Sequence, residues 1–527
     1  MSDAPAVEML GISKRFGPVE ANADVNLTVA RGTVHGIVGE NGAGKSTLMS
    51  VLYGFYTSDS GSIRVFGQDA TIRNAHEAIA LGIGMVHQHF MLVETLTALE
   101  NVMLGAEPHV LLHKAETQVR TRLLALMEST GLRVSLDALV GDLSVGDRQR
   151  LEILKALYRG AKVLILDEPT AVLTPQETEQ LFGVLALLRE QGTTILLITH
   201  KLKEVMRLCD RVTVMRAGRV VDEVAIADAS IEGLAEAMVG RKVQMGRVGN
   251  SDDKPPGAVL LQAQGIHVRD AMNVVRLHGL DIALRAGEIV GVAGVSGNGQ
   301  SELLEVLSGL LAPQGGTLSV GGRQFEAGAW IDPRVARTLG VAHVPEDRHE
   351  RAMVMQFAAW ESAVLGYEWL PQYCSAGWMQ HPQMRQATTD MMERFDVRPR
   401  DAQLQCASFS GGNQQKLVLA RELGQAPRVL LVGQPTRGVD IGAIEFIYGQ
   451  LRAMRDAGCA VLVVSSELDE ILALSDRVIV MNHGHVTGEL PIEACNENAL
   501  GMLMLGGGRA QQAVDAVAAG QPASEAA

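Results

Sequence analysis

Aromatic residues are scarce in this chain, at 4% of 527 residues, so its core must be filled by aliphatic side chains. The five cysteines (Cys209, Cys374, Cys406, Cys459 and Cys495) are odd in number, scattered, and never in Cys-x-x-Cys spacing. That favours buried thiols in a reducing compartment over disulfides or a zinc site. A basic excess is missing too. Lys+Arg 46 against Asp+Glu 60 leaves a net charge of −14, which argues against a broad nucleic-acid or anionic-membrane footprint, and no nucleic-acid partner is expected. No uninterrupted apolar run reaches about 18 residues, so no segment is expected to cross a bilayer. The stretch MSDAPAVEMLGISKRF lacks a positive region followed by an apolar one, so no secretory signal is expected.

What is present describes a folded protein, with 47% apolar and 20% charged residues. The length suggests two or more domains, and an internal duplication says which. VARGTVHGIVGENGAGKSTLMSVLYG (Val29 to Gly54) matches LRAGEIVGVAGVSGNGQSELLEVLSG (Leu284 to Gly309). TTILLITHKLKEVMRLCDRVTVMRAGRV (Thr193 to Val220) matches CAVLVVSSELDEILALSDRVIVMNHGHV (Cys459 to Val486). A period this long means duplicated domains, expected at 1–241 and 258–506. Between them, 242–257 loses apolar periodicity and gathers Gly, Asp and Pro, as a linker does; 507–527, small and polar, is expected to be a disordered tail. Within each half, short aliphatic runs alternate with amphipathic stretches such as VGDRQRLEILKALYRG, which predicts an α/β fold with a largely parallel sheet and crossover helices.

Gly39-Glu40-Asn41-Gly42-Ala43-Gly44-Lys45-Ser46-Thr47 follows the aliphatic GIV and precedes the apolar-periodic LMSVLY. In such a strand–loop–helix setting Gly39, Asn41, Gly42 and Gly44 let backbone amides turn toward phosphate oxygens. Lys45 reaches the β/γ-phosphates, Ser46 can ligate magnesium, and Thr47 continues the cradle. Asp167-Glu168 ends the buried run LILD. Asp167 suits magnesium coordination, and Glu168 suits activation of an attacking water.

Three further segments follow in order: Gln88 in MVHQHF, Leu143-Ser144-Val145-Gly146-Asp147-Arg148-Gln149 ahead of the acid pair, and His200 after an aliphatic run. With the phosphate loop, this series resembles the nucleotide-binding domain of ABC ATPases, and the resemblance covers residues 5 to 506. It implies two tandem phosphate-loop ATPase domains, each with a mainly parallel sheet core, an antiparallel β subdomain and a helical subdomain. It also implies that Phe16 stacks on adenine, that Gln88 touches magnesium and senses a membrane partner, and that His200 holds the γ-phosphate. Lys45, Glu168 and His200 become the catalytic set, Ser46, Gln88 and Asp167 the metal set, and ATP and Mg2+ the ligands.

The second half departs from the pattern. Phe16 aligns with Asp270, Lys45 with Gln300, Gln88 with Glu346, Asp167 with Gly433, Glu168 with Gln434 and His200 with Ser466. Yet Phe409-Ser410-Gly411-Gly412-Asn413-Gln414-Gln415 is closer to the family's LSGGQ signature than LSVGDRQ is. Family domains pair head to tail, so the resemblance implies that Ser410, Gly411, Gly412 and Gln414 complete the nucleotide site around Lys45. One hydrolytic site per chain is expected. Thr174 stands where many ABC ATPases have Asp; the second half has Asp440.

GNGQSE, VPEDR (Val344 to Arg348) and FSGGNQQK look like the ATPase subunits of bacterial simple-sugar importers, and the run after Gln88 looks more like the branch serving nucleosides. That implies two transmembrane permease subunits, an extracytoplasmic solute-binding lipoprotein, and a peripheral place on the cytoplasmic face of the inner membrane. His89 to Leu104 would receive the permease's coupling helices. The alternatives are a monosaccharide importer and a soluble double-ABC translation-type factor.

Overall fold

The computed structural model describes residues 4–17, 19–87, 90–105, 112–170, 173, 175–242, 255–295, 297–439 and 441–504. The chain gathers into two compact units, Met1–Val243 and Gln244–Ala527. Gln88, Thr174, Asp440, most of the linker and the tail lie outside the described residues.

In the first unit, Val34–Val38, Val163–Asp167 and Thr194–Ile198 are buried along their whole length, because their sequences are aliphatic without alternation and need cover on both faces. Val34–Val38 lies between Thr194–Ile198 and Arg211–Arg216, and Val163–Asp167 lies between Thr194–Ile198 and the edge strand Ile83–Val86. All these pairings are parallel. Arg219–Ala225 closes the other edge antiparallel. A second, four-stranded sheet is antiparallel, and its strand Val7–Phe16 mixes buried and exposed positions as a one-sided sheet does. The helical subdomain contains Ala98–Met103, Leu112–Thr130 and Val145–Tyr158. Thr97 and Glu100 form a reciprocal capping box that fixes where the first of these begins.

The second unit repeats this plan with the same six-strand order, in which Glu288–Ala293, Ala460–Ser465 and Val429–Gly433 replace the three strands just described. Asp167 stands opposite Ile198, and Gly433 opposite Val464. The alignment of the two halves is therefore also a register in space. The second helical subdomain adds a small hairpin, Cys374–Ser375 with Trp378–Met379. Both cores are aliphatic: Phe395 is the one aromatic among the largest fully buried side chains of the described residues.

Candidate functional site

The buried strand Val34–Val38 delivers the chain into the phosphate loop at the sheet's carboxyl end, the position where such folds place ligands. Two glycines are obligatory there. A Cβ at Gly39 would collide with the carbonyl oxygen of Met215, and one at Gly44, where φ is 96°, with that of Ala21. A Cβ at Gly42 would meet nothing within 4 Å, so the loop's mouth is open. Asn41 is exposed in the same loop. Lys45 begins the helix Lys45–Leu52, with Ser46 and Thr47 in its first turn. Its ammonium donates to the carbonyls of Gly39 at 2.7 Å and Glu40 at 2.9 Å, which pulls the loop around it.

The acid pair ends a strand one removed from the loop's own. Burial pushes the Asp167 carboxyl up, countered by a hydrogen bond with the Ser46 hydroxyl, while Glu168 pushes it up further and Lys45 pulls it down. For Glu168 burial also acts upward, but the hydrogen bond and charge of His200, with Lys45 and Lys201, outweigh it and hold the carboxyl below its usual value. His200 Nδ1 lies 3.0 Å from Glu168 Oε1. Glu168 sits at φ 47°, in the left-handed region, with its amide bonded to the Ile198 carbonyl at 2.9 Å. Strain at such a position persists only where neighbours enforce it. Thr170 does part of this, because its hydroxyl lies 2.7 Å from the buried Glu204 carboxylate and ties the turn after the acid pair to the helix Leu202–Leu208. Neither Thr170 nor Glu204 is among the expected site residues, although Pro169-Thr170 recurs in the second half as Pro435-Thr436.

The structure thus gathers Lys45, Ser46, Asp167, Glu168 and His200 in one place. Phe16 lies at the end of Val7–Phe16, 41% exposed, with Tyr56 edge-on at 5.0 Å and the Lys14 ammonium 5.5 Å from its ring. Beyond Gln88 the loop is anchored by Met91 N to Glu152 Oε1 at 2.8 Å and by Val93 N to Asn101 Oδ1 at 2.8 Å, leaving Met91 and Val93 exposed. No group of three or more metal-binding side chains occurs among the described residues. The hydroxyl–carboxylate pair of Ser46 and Asp167 nevertheless presents the hard oxygens that magnesium takes beside phosphates, and the open mouth at Gly42 leaves room for them.

The two signature serines differ in a way their sequences only hint at. Ser144 donates its hydroxyl proton to Asp147 Oδ2 at 2.8 Å, so an acid already holds the proton a phosphate would need. Ser410 accepts from Asn413 Nδ2 at 2.9 Å, which leaves its own proton to offer. Gly411 faces Arg348 and the Gly438 carbonyl too closely for any side chain. Gly412 is buried, and Gln414 Nε2 bonds the carbonyls of Phe409 at 3.0 Å and Cys406 at 3.1 Å, fixing the turn into Gly411–Leu423.

In the second unit the frame persists with other chemistry. Gln434 has φ 46°, and its amide bonds the Val464 carbonyl at 2.7 Å. Its Oε1 accepts from Ser466 N at 3.3 Å and Ser466 Oγ at 3.2 Å, the counterpart of the Glu168–His200 contact without charge. Asp270 presents no ring; its carboxylate caps a turn by accepting from Met272 N and Val274 N, each at 2.9 Å.

A parallel sheet with a phosphate loop and a signature helix, built twice, and a strand-end acid pair in the first copy define a duplicated phosphate-loop ATPase. The family model described as ABC transporter matches residues 23–171 and again 277–437, and the chain belongs to that family. It is 42% identical over 507 residues, 96% of this chain and 99% of the relative, to the nucleoside import ATP-binding protein NupA of Lactococcus lactis. It is 43% identical over 500 residues, 95% of this chain and 97% of the relative, to the guanosine import ATP-binding protein NupO of Bacillus subtilis. The glucose import ATP-binding protein TsgD13 of Haloferax volcanii is 40% identical over 542 residues, covering 97% of each. No helix among the described residues is long and apolar enough to cross a membrane.

Proposed function

We propose that this chain is the ATP-hydrolysing subunit of a nucleoside importer, a peripheral protein at the cytoplasmic face of the inner membrane. It would drive two transmembrane permease subunits supplied by an extracytoplasmic solute-binding lipoprotein. The observation that carries the solute class is near full-length identity of 42% and 43% to relatives named for nucleoside and guanosine import. A glucose-import relative at 40% supports monosaccharide uptake as the second reading.

One hydrolytic site per chain follows from the chemistry of the two halves. In the first unit Lys45 neutralises phosphate charge, and Ser46 and Asp167, with Gln88, would hold magnesium. Glu168, kept ionised by its neighbours, accepts the proton of an attacking water, and His200 orients Glu168 and faces the γ-phosphate. Magnesium bound with ATP supplies further neutralisation of developing charge. Ser410, which donates to no partner among the described residues, would by the family resemblance supply the signature contact, whereas the Ser144 proton is engaged by Asp147. Phe16 offers an exposed ring for the adenine. Gln434 and Ser466 can orient one another but cannot take up a proton at neutral pH.

Uptake of labelled nucleosides, pentoses and hexoses in cells with this chain, without it, and with Glu168→Gln tests the reading. Nucleoside uptake lost in both altered strains is the expected result. Sugar uptake lost instead would replace the solute class, and no change for any solute, with the chain co-purifying with ribosomes, would replace the transporter reading.

A further inference from the structure

Gly433 stands where the first unit has Asp167, and its missing side chain has a local cause. A Cβ there would collide with the Cγ of Glu346 and lie 2.9 Å from Leu304 Cδ1 and 3.0 Å from the Glu346 backbone nitrogen. The Glu346 side chain fills the volume an aspartate would need. It arrives from just beyond Val341–Val344, the strand paired parallel to Val429–Gly433 with Val344 opposite Val432. Its Oε2 accepts a hydrogen bond from Ser301 Oγ at 2.6 Å. Ser301 is second in the helix Gln300–Ser308 as Ser46 is second in Lys45–Leu52, and in the first unit it is Asp167 that pairs with this serine. The hydroxyl–carboxylate pair is kept, with the acid delivered from the neighbouring strand.

The loop around it is kept as well. Gly297 and Gly299 have φ of 90° and 100°, against 84° and 96° at Gly42 and Gly44. A Cβ at Gly297 would meet nothing within 4 Å, so this mouth is open like the first. Gln300 Nε2 donates to the Val295 carbonyl at 3.1 Å, the tie that the Lys45 ammonium makes to Glu40. That leaves Gln300 Oε1 without a hydrogen-bond partner among the described residues, on a residue only 6% exposed. An unsatisfied buried oxygen is costly, and its complement is a cation or a donor rather than a bare phosphate. Gln300, Ser301 and Glu346 together supply hard oxygens, the donor type of magnesium.

We propose that the second unit keeps a nucleotide site that takes a nucleoside triphosphate only as its magnesium complex, with Ser301 and the relocated carboxylate of Glu346 on the metal. The proposal rests on the reading of the first unit as an ATP site. Gln300 brings no charge to the phosphates, so the metal does the work shared with Lys45 in the first unit, and removing metal empties the second site first.

Equilibrium dialysis of adenylyl imidodiphosphate against the full chain, in Mg2+ and in EDTA, tests this. Two nucleotides per chain are expected in Mg2+ and one in EDTA. Lys45→Ala should leave one magnesium-dependent nucleotide, and Glu346→Ala should lose that one with at least a tenfold weakening. The double variant Glu346→Ala/Gly433→Asp, which returns the acid to its original strand, should regain it. Glu346→Gln, which removes the charge at constant shape, serves if the alanine variant does not fold. One nucleotide per chain in Mg2+, removed by Lys45→Ala and untouched at Glu346, overturns the proposal, as does a second nucleotide that persists in EDTA. No nucleotide under any condition would overturn the ATP-site reading of the first unit instead.

Discussion

The two units are built on one frame and differ in which atoms carry charge. At the strand-end turn, Glu168 and Gln434 share a left-handed backbone, at φ 47° and 46°, and the same strand contact. Each also touches a residue just past the end of the neighbouring strand, His200 in one case and Ser466 in the other. Only the first pair can move a proton. At the signature the bias reverses, because Ser144 is held by an acid and Ser410 by an amide. Geometry and chemistry have thus been kept and lost separately. The second unit keeps the left-handed turn, the strand contact and the signature helix without the first unit's lysine, acid pair and histidine.

The widest expected gap lies between the two turns. Glu168→Gln should lower ATP turnover by about 10^3-fold, whereas Gln434→Ala should change it by less than about twofold; equal losses measured in steady-state phosphate release would erase the asymmetry.

A second gap concerns stability. Each unit buries an acid on matching helices, Glu204 in Leu202–Leu208 and Glu470 in Leu468–Leu474, and burial pushes both carboxyls up, Glu470 to about 7. A folded value above the unfolded 4.5 means that folding favours the protonated form. The stabilisation is fully present below about pH 4.5 and is lost as pH rises toward 7, on the order of 3 kcal/mol. The four tryptophans, Trp330, Trp360, Trp369 and Trp378, all lie in the second unit, so urea unfolding followed by their fluorescence at pH 5 and pH 8 reads that unit. Glu470→Gln should flatten the difference, and a variant that retains the wild-type slope would remove Glu470 as its source.

The smallest expected gap lies between the signatures. Ser410→Ala should slow hydrolysis by about 30-fold, the worth of one hydrogen bond to a charged group. Ser144→Ala should stay within about threefold. The reverse ranking in turnover would assign the working signature to the wrong half.

Much of this was legible in the sequence, because the phosphate loop, acid pair and signatures are local patterns whose spacing survives duplication. The parallel sheet was legible in VLILD and TILLI, which show no alternation because both faces are covered. What was not legible depends on strands that meet only in space. The acid-pair strand reaches the phosphate loop across Thr194–Ile198 rather than directly, and Glu346 meets Gly433 only because two strands far apart in the chain lie side by side. Read along the chain, Gly433 looked like a simple loss; its neighbour shows a side chain in its place. The proton on Ser144 belonged to neither class. Ser followed three residues later by Asp is a capping pattern visible in LSVGD, but its consequence for a phosphate contact needed the 2.8 Å geometry.

The central claim, that hydrolysis belongs to the first unit's acid, is tested most directly by moving that acid. ATP turnover should be measured for Glu168→Gln and for Glu168→Gln/Gln434→Glu, both as the full chain. The account predicts that both remain at background, because the second unit still lacks the lysine and histidine that the glutamate works with. Recovery of a tenth or more of wild-type turnover in the double variant would contradict it.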